Sequence, residues 1–133
     1  MSAITKYNKM ASYAKQAIKA FNDVLPCGAD LPIVMVMVGE TDYCGKMITG
    51  VINSAVTSAV MVLCLDEIVN AAIIDNVSIE QMTLETIYHE WIHFIHSLSY
   101  PDDMGMRVTH EGELWESMIT IGMDSGFIHR EAI

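Results

Sequence analysis

Hydrophobic residues recur along this chain with two different periods, and each change of period marks a new element. Ile4, Tyr7, Met10, Ala14, Ala17, Ile18 and Phe21 follow one another at three- and four-residue steps, with Lys6, Lys9, Lys15 and Lys19 on the other side. This spacing predicts an amphipathic first helix that stops before Pro26-Cys27-Gly28. Ile33 to Val38 is a continuous apolar run behind Pro32, too short for a typical helix, and reads as a buried strand. Tyr43 to Ile52 reads as a second strand with Gly45 and Gly50 as bulge candidates, and Ala59 to Leu65 as a third. Asp66 is positioned to cap a short helix through Ile74, which Asp75-Asn76 would close.

The second half is helical. Ser78-Ile79-Glu80-Gln81 has the form of a capping box, and Ile79, Met82, Ile87, Trp91, Ile95 and Leu98 give the helix that follows an apolar face. Pro101 disfavours helical geometry in Tyr100, so this helix should end near Ser99. After a polar loop from Asp102 to Thr109, a last helix is expected from His110. Leu114, Met118 and Ile121 share its stripe, Trp115 and Ile119 flank it, and Gly122 is its expected stop.

Composition narrows the class. A chain of 133 residues that is 52% hydrophobic fits a single domain over residues 1–133 with a sizeable core. A net charge of −10 and a pI near 4.6 argue against a broad nucleic-acid-binding surface, which needs clustered Lys and Arg. The amino-terminal lysines are read as a solvated helix face. Cys27, Cys44 and Cys64 form no C-x-x-C pair, and Met1 to Lys6 lacks the apolar core of a signal peptide, so a reducing, cytoplasmic setting is expected. Met47 to Leu65 runs nineteen residues without a charge. Its Thr and Ser residues and the Asn53-Ser54 turn signal predict two strands there, with no membrane span.

The candidate chemistry lies in His89-Glu90-Trp91-Ile92-His93. Residues four apart lie on one helix face, so both imidazoles can converge on one ion while Glu90 reaches a water beside it. A hydrolytic zinc site uses three protein ligands and leaves a position for water. The third ligand must therefore come from downstream, among His96, His110, Glu111, Glu113 and Glu116. His96 is roughly 10 Å of helix rise from His89, too far to close the same shell, and is read as a core or supporting histidine. His110 and Glu113 both remain candidates. Glu113 falls twenty residues after His93, as in thermolysin-like enzymes, and His110 would give a three-histidine site.

The order of segments, together with two strings, resembles the SprT-like zinc metalloprotease domain. Thr83 to His93 is similar to that family's active-site helix, and His110-Glu111-Gly112-Glu113-Leu114-Trp115 to its histidine-led motif. The resemblance runs from about Lys6 to Met118. It implies an α+β, zincin-like fold: an N-terminal helix, a small, mainly antiparallel three-stranded sheet, an active-site helix and a C-terminal helix. It also implies Zn2+ held by His89, His93 and His110, with Glu90 as general base in the hydrolysis of a protein or peptide substrate. Glu111 replaces a common glycine and Leu114 the usual aromatic residue. The zinc ribbon and basic extension of DNA-linked members are missing, so no DNA-dependent role is carried over.

A substrate would lie extended along a sheet edge, for which the strand at Ala59 to Leu65 is the expected one, and Tyr100 and Arg107 are candidates for stabilising an oxyanion. The competing expectation is a non-catalytic protein-interaction module that retains a zincin-like fold.

Overall fold

A computed structural model describes residues 3–101, 110 and 112–129, the first five of these by backbone alone. Over these residues the chain is α+β, with four helices and one small mixed sheet. Helix α1 (Ala3–Val24) leads into strands β1 (Ile33–Met37), β2 (Gly45–Ile52) and β3 (Ala55–Cys64). Helices α2 (Leu65–Asp75), α3 (Ile79–Ser99) and α4 (Glu113–Asp124) follow.

The stripe read for α1 is the stripe it buries, with Met10, Ala14, Ala17, Ile18 and Phe21 all in the core. Ile4, Tyr7 and Lys6 lie outside the residues whose side chains are described. The uncharged run from Met47 to Leu65 folds back as a hairpin: Asn53 and Ser54 take positive φ values of 52° and 59°, which join β2 to β3 in a two-residue turn. The register shifts between Gly50 and Val51, so the bulge expected at Gly50 is present, whereas Gly45 pairs regularly with Leu63. Among the described residues no helix is long and apolar enough to cross a membrane.

The sheet departs from expectation in its order, which is β1-β3-β2. β1 runs parallel to β3 and β2 antiparallel to it, so the sheet is mixed and not mainly antiparallel. β3 is the central strand, and from Val60 its hydrogen-bonding edges are both occupied. The strand from Ala59 therefore offers no free edge to a substrate; β1 and β2 are the edges.

Three helix ends also differ from the sequence reading. Cys64, not Asp66, occupies the N-cap of α2, while the Asp66 carboxylate accepts a 2.8 Å hydrogen bond from the Gly39 N–H and fastens the β1–β2 loop. α4 begins at Glu113, because Gly112 has a φ of 100° and sets the N-cap, so His110 precedes the helix. Gly122 lies within α4 and does not stop it. A Cβ there would meet the Tyr88 ring at 2.5 Å, and Tyr88 donates its hydroxyl hydrogen bond to the Met118 carbonyl beside it. The glycine lets α4 approach α3.

α1 and α3 pack on one face of the sheet, where Val36, Ala59, Met61 and Leu63 meet Ile87, Trp91, Phe94 and Phe21 in one core cluster. Phe21 contacts the ring edges of Tyr88 and Phe127, with centroids 4.9 and 4.6 Å away. The structure thus holds α3 at the centre of the helical layer, between α1, α2, α4 and the sheet.

Candidate metal centre

The candidate centre is built on α3, whose start and stop follow local chemistry. Ser78 is its N-cap, with Oγ accepting a 3.0 Å hydrogen bond from the Gln81 N–H. The Gln81 side chain turns forward to Glu85 at 3.3 Å and does not complete the reciprocal half of a capping box. At the other end the Tyr100 N–H bonds the His96 carbonyl at 2.8 Å before Pro101 ends the helix. Between them the helix is buried around most of its circumference, Thr83, Glu85, Thr86 and Glu90 included.

His89 and His93 stand one turn apart, with Nε2 atoms 3.1 Å from each other. His110, before α4, brings its Nε2 to 3.3 Å from that of His93. One donor atom from each of the three lies within 4.8 Å of the others. A tetrahedral zinc with Zn–N bonds of about 2.0–2.1 Å separates its ligand atoms by about 3.3 Å. Two of the three spacings match that edge. The third pair, His89 and His110, lies within the same 4.8 Å, with ring centroids 4.8 Å apart.

The electrostatics agree with the donor set. Burial, reinforced by His89, His110 and His96, holds His93 down at about 4, so this imidazole is neutral near pH 7. A neutral ring is the form that binds a metal. Three ring nitrogens facing one another without acidic ligands suit a borderline-soft ion such as Zn2+ better than Mg2+ or Ca2+, which prefer oxygen.

Glu90 lies on the adjoining side of the helix, its Oε2 3.9 Å from His89 Nε2. Burial pushes its carboxyl up to about 7, against a hydrogen bond from the Met47 backbone that favours the charged form. Edge strand β2 thus touches the candidate base directly. Gly45 makes this contact possible, because a Cβ at that position would sit 2.9 Å from Thr86 Cγ2 and 3.0 Å from Glu90 Cγ.

Of the other downstream candidates, Glu113 and Glu116 are exposed in the first turn of α4, and neither belongs to the group of converging donors. His96 is half-buried against Tyr100, with ring centroids 5.2 Å apart, and is likewise outside that group. Glu111 and Arg107 lie outside the described residues, as does the loop from Asp102 to Thr109. Tyr100 is exposed.

Trp115 is the residue that sequence reading placed only on the flank of a helix. Its indole lies 4.7 Å from the His110 ring, 5.2 Å from His89 and 5.6 Å from His93. A single aromatic side chain therefore borders all three imidazoles. Its place inside the His110 to Trp115 string was the available signal, but which rings it faces depends on how α4 docks on α3. Comparison of the chain with protein-family models, with curated proteins and with solved structures finds no match.

Proposed function

We propose that the protein is a zinc-dependent peptidase in which His89, His93 and His110 hold the ion and Glu90 is the general base. The observation that carries this reading is the convergence of three imidazole nitrogens beside a buried carboxyl on the same helix. When bound, zinc supplies Lewis acidity, lowering the pKa of a water and polarising a carbonyl.

The chain's own residues supply the rest. Glu90, with its carboxyl shifted towards neutrality, takes the proton released as the water attacks and delivers it to the departing amine nitrogen. The Met47 backbone and the close contact with Gly45 fix where that carboxylate points. Because β2 is an edge strand and its backbone reaches Glu90, an extended peptide is placed along β2, antiparallel or parallel, with its scissile bond beside the carboxylate.

The test begins with metal content after purification without chelators, followed by cleavage of an unfolded protein by wild type and by Glu90→Gln. One equivalent of zinc, with cleavage lost in Glu90→Gln, is expected. Absence of zinc binding overturns the reading. Stoichiometric zinc with no cleavage by either protein overturns the catalytic half and favours a protein-interaction module.

A further inference from the structure

Cys44 precedes β2 and Cys64 ends β3, and the two are partners across the hairpin. β2 and β3 pair residue by residue from Gly45 and Leu63. One step further, the Cys64 N–H donates a 2.8 Å hydrogen bond to the Cys44 carbonyl, so the ladder extends to the cysteines as a hydrogen-bonded pair. In such a pair the Cα atoms stand about 5.5 Å apart and both side chains leave the same face. A disulfide spans Cα separations of about 4.4–6.8 Å.

The side chains agree with the backbone. The Tyr43 hydroxyl hydrogen-bonds the Cys64 sulfur, and Tyr43 is the sequence neighbour of Cys44. The Cys44 thiol donates to the Glu67 carbonyl at 3.6 Å, in the first turn of the helix that begins after Cys64. Each thiol thus reaches the segment that carries the other. A rotation about χ1 of Cys44 exchanges its weak S–H contact for an S–S bond. The Cys27 thiol is turned elsewhere, donating to the Ala29 carbonyl at 3.4 Å.

We propose that Cys44 and Cys64 are a modification site that closes to a reversible disulfide on exposure to hydrogen peroxide. Cys44 is half-buried and Cys64 fully buried, so the oxidant meets Cys44 first. The Cys44 thiolate attacks one peroxide oxygen; the O–O bond breaks, hydroxide leaves and a sulfenic acid forms. The Cys64 thiolate then attacks that sulfur; the S–O bond breaks, a second hydroxide leaves and the S–S bond forms. The two thiol protons convert both hydroxides to water, so two thiols and one peroxide yield one disulfide and two waters. Burial, followed by the Glu67 carboxylate, pushes the Cys44 thiol up, so thiolate is scarce at pH 7 and closure is slow there. In a reducing setting such a bond is transient, reopened by thiol exchange.

Closure ties the residue before Gly45 to the N-cap of α2. Gly45 packs on Glu90, so the bond fixes the entry of β2 beside the candidate base. That consequence rests on the peptidase reading; the disulfide itself does not.

The test treats the full chain at pH 8.5 with about a tenfold molar excess of hydrogen peroxide, then reads intact mass and free thiols without reduction. The monomer is expected to lose about 2 Da and to keep one of its three thiols, with dithiothreitol reversing both changes. A non-reducing peptide map should join the Cys44 segment to the Cys64 segment, and the thermal unfolding midpoint should rise by about 5 °C or more. Cys27→Ser is expected to close as wild type does, and Cys44→Ser, a change outside the core, to show no loss of mass. Retention of all three thiols, a bond that includes Cys27, or oxygen addition to sulfur in place of the loss each overturns the proposal. A chain that closes yet binds no zinc keeps this site and sinks the peptidase reading, whereas zinc-dependent cleavage without closure does the reverse.

Discussion

Gly45 lies directly against Glu90: a Cβ on the glycine would come within 3.0 Å of the glutamate Cγ and 2.9 Å of Thr86 Cγ2. The first residue of β2 therefore fixes the distance between the sheet and the carboxyl of α3. Its backbone has no positive φ, so the demand for glycine is one of space and not of conformation. Gly45→Ala should overpack this contact and cost about 1–3 kcal/mol of stability in urea denaturation. It should also reduce turnover of any substrate that depends on Glu90. An alanine variant as stable and active as wild type would show that the helix and strand are free to separate.

The metal-free protein should record the burial of Glu90 as a pH dependence. Burial raises its carboxyl from 4.5 to about 7, so the folded state holds a proton that the unfolded state has released. The stability this contributes is complete below pH 4.5 and is lost as the pH rises through about 7. His93 works in the opposite sense. Its contribution, from a value lowered from 6.5 to about 4, is present above 6.5 and is lost as the pH falls through about 4. Comparison of wild type with Glu90→Gln isolates the glutamate, since both proteins retain His93. The variant should be more stable by about 2–3 kcal/mol at pH 8, with the difference vanishing towards pH 4.5. Denaturation curves at four or five pH values would reveal a constant difference if the carboxyl were in reality well solvated.

Zinc affinity separates the two ligands left open by spacing alone. His110→Ala should weaken binding by about 100-fold or more, because a bond to the ion is lost, whereas Glu113→Ala should leave it within a few-fold of wild type. Competition against a chromophoric chelator reads both. The reverse order of effects would move the third ligand to α4.

The indole of Trp115 should act on the metal through His110. That ring is exposed, and the Trp115 side chain 4.7 Å away borders it. Trp115→Ala should lower zinc affinity about tenfold, Trp115→Phe should restore most of it, and the loss should not add to that of His110→Ala. Strict additivity in the double variant would mean that the tryptophan only supports the fold. The cobalt-substituted absorption spectrum offers a second check, since a displaced third ligand alters tetrahedral geometry.

What the amino-acid pattern revealed and what it concealed follow from the range of the interactions involved. The stripe from Met10 to Phe21, the Ser78 cap, the Asn53-Ser54 turn and the His89-to-His93 spacing are local, encoded within a few residues of where they act. The sheet order is not. Nothing near Ile33 announces that it pairs with Val60 and not with its sequence neighbour β2, since β1 is apolar on both of its sides. The same apolar character hid which face the helices cover. Gly45 and Gly122 looked like a bulge and a helix stop, the usual local meanings of glycine. Both instead admit a side chain from α3, Glu90 in one case and Tyr88 in the other. Trp115 escaped for the same reason: its neighbours are set by the docking of α4.

The mixed order of the sheet also prescribes a sequence of events in folding. β2 and β3 are joined through Asn53 and Ser54, a closure of the kind completed in microseconds. β1 has no partner until β3 exists, and its pairing of Ile33 with Val60 encloses the whole hairpin in the loop it must close. The edge that touches Glu90 therefore belongs to the unit that assembles first. β1, hydrogen-bonded to β3 alone and packed against α1, joins a hairpin that closes without it.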